Sequence, residues 1–136
     1  MIAGLEVPPL SEDLKERVRE GLPSYFSINN PIDLTGSVTD EMYADALDKT
    51  LSDDSFDIAI VAALWGPPGL TDELPALLSE RAQGIKKPVL VCSPGGAFTR
   101  SKADLFIKCG LPVFQTPEAA VKAASILARC ALRRKG

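Results

Sequence analysis

No histidine occurs among the 136 residues of the chain. A Ser-His-Asp or Cys-His nucleophile pair, a phosphohistidine and an imidazole metal ligand are therefore excluded from this polypeptide. Cysteine is sparse too. Cys92, Cys109 and Cys130 form no CxxC pair and no metal-ligand spacing, a pattern of reduced thiols in a cytoplasmic setting rather than of a disulfide scaffold. Positive charge is in deficit, with 15 Lys and Arg against 18 Asp and Glu. That balance argues against nucleic acid and favours a basic partner or a small molecule. Long apolar runs are missing: the longest, Ile58 to Trp65, is far shorter than the roughly 20 residues of a membrane helix. No basic segment precedes an apolar stretch at the start, so the expectation is a soluble, unexported protein.

What is present is globular in composition, at 46% hydrophobic and 24% charged, and 136 residues suit one domain spanning 1–136. Strand and helix patterns alternate, the signature of an α/β parallel sheet covered on both faces. Ile58–Leu64 reads as a central strand buried on both sides. Pro88–Ser93 and Pro112–Gln115 repeat the design, each with Pro at the first position, where no ladder donor is needed. Leu5–Val7 and Tyr25–Ile28 are weaker strand candidates. Helices are expected from Ser11 to about Leu22, after Thr39, after Thr71, from about Thr99 to Cys109, and from Thr116-Pro117 to the basic end at Arg133, Arg134 and Lys135. The acidic run Asp40, Glu41, Asp45, Asp48, Asp53, Asp54 and Asp57 reads as a solvated face.

Open α/β sheets bind ligands beyond the carboxyl ends of their strands. The first such loop is Trp65-Gly66-Pro67-Pro68-Gly69-Leu70-Thr71, leading into a helix whose free amides and dipole favour an anion. Pro67 and Pro68 supply no N–H, and Asp72 and Glu73 would repel phosphate, so a phosphate contact competes with a proline-stiffened turn. The second loop, Ser93-Pro94-Gly95-Gly96-Ala97, offers close backbone access without a Walker or dinucleotide fingerprint. Asn30-Pro31-Ile32-Asp33-Leu34-Thr35-Gly36 is a third polar segment, with a structural turn as the competing reading.

These segments, taken in order with Tyr43, Leu47, Leu51, Asp53-Asp54, Lys87–Val91, Gly110–Phe114 and Thr116–Val121, resemble the ligase-CoA domain of NDP-forming acyl-CoA synthetases, relatives of succinyl-CoA synthetase. The resemblance runs from about Gly4 to near the end. It implies a flavodoxin-like domain in an enzyme that interconverts acid, CoA and ATP with acyl-CoA, ADP and phosphate through a phosphohistidine carried elsewhere. Gly66, Gly69, Leu70 and Thr71 match the loop and helix start that face the phosphohistidine, with Trp65, Gly95, Gly96, Asn30, Asp33 and Gly36 as further loop contacts. It also implies that this domain alone binds no cofactor, while ATP or ADP, CoA and Mg belong to the complete enzyme. The partners so implied are the CoA-binding, phosphohistidine and ATP-grasp domains.

Two departures stand out. The prolines replace the Gly-Gly form of the succinyl-CoA branch, and the family's first strand, Gly-rich loop and helix have no counterpart before Gly4. In a sheet of order 2-1-3-4-5 that leaves the strand after Asp57 with an open edge, from which a twofold homodimer or a borrowed strand is expected. Insertion of Leu5–Val7 into the vacancy is the competing arrangement. The rival function is a stand-alone module for a nucleotide or other phosphate ligand. A receiver domain fits poorly, because Asp57 precedes its strand and Gln115-Thr116 stands where a Lys belongs; a flavodoxin lacks its early hydroxyl-rich loop.

Overall fold

The computed structural model describes residues 3–136. Its first helix, α1 (Glu12–Arg19), starts where the Ser11 hydroxyl oxygen accepts the Leu14 N–H at 3.2 Å, and buries Leu14 and Val18. It ends short of the expected Leu22 because Gly21 takes φ +83° and Pro23 follows. Helix α2 (Asp40–Leu51) is capped by Thr39, whose Oγ1 accepts the Met42 N–H at 3.3 Å. It has two apolar sides. Ala44, Leu47 and Leu51 face the sheet core, while Ala46 and Met42 meet a second cluster of Leu10, Leu14, Val18, Phe26 and Ile28 under α1.

Strand β1 (Ala59–Ala62), helix α3 (Leu74–Ile85), strand β2 (Val89–Cys92), helix α4 (Ala97–Lys108), strand β3 (Val113–Phe114) and helix α5 (Pro117–Lys135) follow. The sheet is parallel, in the order β1-β2-β3, with Ala59 beside Val89 and Val91 beside Val113. Val61, Val89 and Val91 turn to one face, where α2, α3 and Phe106 of α4 close the main core. Alternation sends Leu90 and Cys92 to the other face, against which α5 packs through Ala120 and Ala124. Helices on both faces of a parallel sheet are thus the observed architecture.

Several expectations need correction. β1 is an edge strand buried on one face only: Val61 and Ala63 are covered, whereas Ile60 is 41% and Leu64 59% exposed. Leu5–Val7 forms no strand beyond a single bridge residue at Leu5, and Pro8 and Pro9 prevent its extension. Tyr25–Ile28 contributes only an isolated antiparallel bridge, Ser27 to Asp33. Thr71 does not cap α3. Residues 72–73 make a turn first, so the helix starts at Leu74 with no side-chain cap. Helix α4 begins at Ala97, two positions before the expected Thr99, because Gly96 serves as its N-cap.

The acidic run is more bonded than a solvated face would be. Asp45 pairs with Lys49 at 2.9 Å, Asp48 with Arg81 at 3.8 Å and Asp53 with Arg17 at 2.9 Å. The Ser55 backbone and hydroxyl, and then Arg17, hold the Asp53 carboxyl below the usual carboxylate range. Lys87 sends its ammonium to three carbonyl oxygens at the end of α2 and in the following turn: Leu51 at 2.8 Å, Asp53 at 2.9 Å and Phe56 at 2.7 Å. The Asp53 carbonyl also accepts the Phe56 N–H at 3.3 Å, whereas those of Leu51 and Phe56 would otherwise lie unsatisfied beside the core.

Candidate anion site at the carboxyl end of the sheet

The order β1-β2 puts the two Gly-bearing loops side by side. The buried Ser93 hydroxyl at the end of β2 donates to the Ala63 carbonyl at 3.1 Å and ties them together. Trp65, Gly66, Gly69, Leu70, Thr71, Gly95 and Gly96 therefore share one end of the sheet. Across the gap, Lys102 of α4 bonds Asp72 and lies 5.4 Å from the Trp65 ring centroid and 5.3 Å from that of Phe98. This cation–aromatic cluster was not among the sequence candidates. A Lys and a Phe one helical turn apart behind Gly95-Gly96 carry no signal until the loops are adjacent.

The donors of the first loop are partly committed. The Leu70 N–H closes a turn on the Pro67 carbonyl at 3.1 Å. The Thr71 N–H donates to Asp40 Oδ1 at 2.9 Å, and its hydroxyl donates to Asp40 Oδ2. Asp40 returns its own N–H to the Gly69 carbonyl at 3.2 Å. A Cβ on Gly69 would stand 2.5 Å from the Val38 carbonyl oxygen, so only glycine permits this approach of loop to helix. The N–H groups of Gly66, Gly69 and Asp72 have no acceptor among the described residues. Beside them opens a cleft of about 620 Å³ lined by Asp40, Glu41, Asp72, Glu73 and Glu80, whose carboxylates repel a free anion.

The second loop differs. Gly95 takes φ +145°, and its Cα is so close to Thr99 that a Cβ would come within 2.4 Å of the Thr99 hydroxyl. Helix α4 then starts with no acidic residue in its first turn. At the other side of β1, Tyr43 donates its hydroxyl to the Ala62 carbonyl at 2.6 Å, and burial pushes its phenol up to about 12. Cys92 is buried on β2; burial first, then Glu118, pushes its thiol up, which disfavours the reactive thiolate.

The third segment does not join these loops directly. The Asn30 side-chain amide donates to the Pro8 carbonyl at 2.9 Å, and Asp33 Oδ1 accepts the Thr35 N–H at 2.9 Å. Gly36 is exposed with open space around it. The segment does lead into Val38, Thr39 and Asp40, which touch the first loop. No group of three or more Cys, Asp or Glu arranged to hold a metal occurs among the described residues, and no helix there is long and apolar enough to cross a membrane.

Comparison with known proteins gives a consistent result. Residues 1–133 match the family described as ligase-CoA domain. The alpha subunit of acetate–CoA ligase [ADP-forming] I of Pyrococcus furiosus is 30% identical over 112 residues, covering 78% of this chain and 23% of the relative. The alpha subunit of enzyme II of the same organism is 30% identical over 133 residues, covering 91% and 28%. The chain thus spans about a quarter of the length of these curated relatives. Among solved structures, PH0766 of Pyrococcus horikoshii superposes with a TM-score of 0.80 at 27% identity, over 90% of this chain and 29% of that one. The dinucleotide-forming acetyl-coenzyme A synthetase 1 of Ca. Korarchaeum cryptofilum, in complex with phosphate and ADP, gives 0.81 at 24% identity over 98% and 29%, a likeness of fold.

Proposed function

The chain belongs to the ligase-CoA domain family, and from that membership we propose that it is one domain, or a small subunit, of an ADP-forming acyl-CoA synthetase. The complete enzyme interconverts acid, CoA and ATP with acyl-CoA, ADP and phosphate. Residues 1–136 act in it as a single cytoplasmic unit without nucleic-acid or membrane partners. Nucleotide, CoA and Mg are held by the CoA-binding, phosphohistidine and ATP-grasp domains rather than by this one. The observation that carries the reading is the family match in a chain with no histidine of its own.

Within that enzyme, Gly66, Gly69, Leu70 and Thr71 help stabilise a phosphorylated histidine presented by another domain. Support comes from the unpaired N–H groups of Gly66 and Gly69 at the approach to α3. Trp65, Gly95 and Gly96 flank this position. Asn30, Asp33 and Gly36 shape the segment leading to Asp40 and make no direct contact. An independent nucleotide-binding module is disfavoured by the carboxylates of Asp40, Asp72 and Glu73 around the cleft.

Purified chain alone is expected to form no ATP from acyl-CoA, ADP and phosphate, and addition of the separately expressed remaining domains is expected to restore turnover. Gly66→Pro removes one amide where a Cβ meets nothing within 4 Å. It should lower the restored rate roughly tenfold, the order of one helix-terminus contact in a partly buried site. Turnover by the chain alone, or an undiminished restored rate in Gly66→Pro, overturns the reading.

A further inference from the structure

The two donors of Thr71 that best suit an anion are already in use, and the acceptor is a carboxylate. Asp40 Oδ1 takes the N–H at 2.9 Å and Oδ2 takes the hydroxyl. Asp40 is the first residue of α2, where negative charge is favoured by that helix's own dipole. Its backbone N–H is fixed to the Gly69 carbonyl at 3.2 Å, and the Gly69 Cα is pressed against Val38. The carboxylate thus reaches the approach to α3 from a rigid helix start, with little freedom to leave. No cation pairs with Asp40 among the described residues; Thr71 supplies the bonds its side chain makes to other elements.

We propose that Asp40 is an internal competitor for the anion position, an autoinhibitory contact that a phosphoryl group must displace to reach Thr71. The inference rests on the assignment of Gly66 and Gly69–Thr71 to phosphate, and adds its regulation. Free phosphate meets the charge of Asp40, Asp72 and Glu73 and has to break two hydrogen bonds for the two it gains at Thr71. A phosphoryl group carried on a docked domain arrives at high effective concentration and overcomes the same barrier. The contact thereby discriminates against loose phosphate in favour of phosphate delivered by the partner.

The test is a titration of the full chain with inorganic phosphate, followed by amide NMR of wild type, Asp40→Ser and Asp40→Asn. Asp40→Ser removes the charge and frees the Thr71 donors; Asp40→Asn removes the charge while keeping an acceptor for the Thr71 N–H, which preserves the fold if the serine variant does not. Either variant should saturate the Gly69 and Thr71 shifts at roughly tenfold lower phosphate than wild type. A purely structural role for Asp40 gives no such gain. Shifts at Gly69 and Thr71 with unchanged or weaker affinity in the folded variants overturn the competitor role and leave the loop assignment standing. No shift at Gly66 or at Gly69–Thr71 in any of the three proteins overturns both.

Discussion

Lys87 is the residue on which most of the loop between α2 and β1 depends. One ammonium serves three carbonyl oxygens, from Leu51, Asp53 and Phe56. Without it the Leu51 and Phe56 acceptors would be left without a donor and Asp53 with the Phe56 N–H alone; a charged donor there is worth about 1.5–3 kcal/mol per bond at most. Truncation to Met keeps the aliphatic stem and removes the donors. Lys87→Met is therefore expected to destabilise the chain by about 2 kcal/mol in urea unfolding, chiefly by loosening residues 51–57. A variant with an unchanged urea midpoint would show that water replaces the ammonium at no cost. The sequence sets this lysine apart from Lys86 only as the start of the Lys87–Val91 segment in the family resemblance; its role stays hidden because its partners lie more than thirty positions earlier in the chain.

At the scale of elements, the starts of helices were the most legible feature and their neighbours the least. Ser11, Thr39 and Thr116 each accept an N–H from three residues on, as their place before an apolar stripe predicts. Thr71 has the same local pattern, but its hydroxyl oxygen accepts the N–H only two residues on, from Glu73 at 3.2 Å, while donating its proton to Asp40, and Pro75 sets the helix start later. A local rule cannot see a partner such as Asp40, which the fold brings up from another helix. The β1 strand was legible by its apolar run, but the run hides that its two faces differ, because covering a strand depends on which helix reaches it. The candidate loops were found from the rule that ligands gather at strand ends; Asp40, Phe98 and Lys102 were not, since only the sheet order brings them there. The join of α2 to the first loop gives a direct test of that packing. A methyl on Gly69 would meet the Val38 carbonyl oxygen at 2.5 Å, so Gly69→Ala should cost about 1–3 kcal/mol and move the Thr71 amide resonance. Neutral behaviour of that variant would mean that the α2 start and the loop do not touch in solution.

In the molecule as a whole, the open sheet has two edges among the described residues, the two-residue β3 and the longer β1, and β1 is the one with apolar surface to offer. Ala59 and Ala63 direct their N–H groups to Pro88 and Cys92 of the β2 side at 3.0 and 2.9 Å, so the polar groups of Ile58, Ile60 and Ala62 face outward. Tyr43 occupies one of them, the Ala62 carbonyl. No Lys or Pro interrupts residues 58–64, the usual protection of an edge. Self-association as a homodimer, or uptake of a partner strand, is the expected behaviour. Sedimentation equilibrium at micromolar concentration should report a mass above the monomer, and Ile60→Lys should return it to the monomer. Wild-type chain that stays monomeric across that range contradicts the expectation. The opposite, carboxyl end of the same strand has a different use. The chain has a single tryptophan, and it is Trp65, with Phe106 at 5.9 Å and the Lys102 ammonium at 5.4 Å from its ring centroid. All tryptophan emission from the protein thus originates beside the Gly66–Thr71 loop, so docking of a partner domain there, or release of Lys102 from Asp72, becomes a change in colour or brightness that needs no added label.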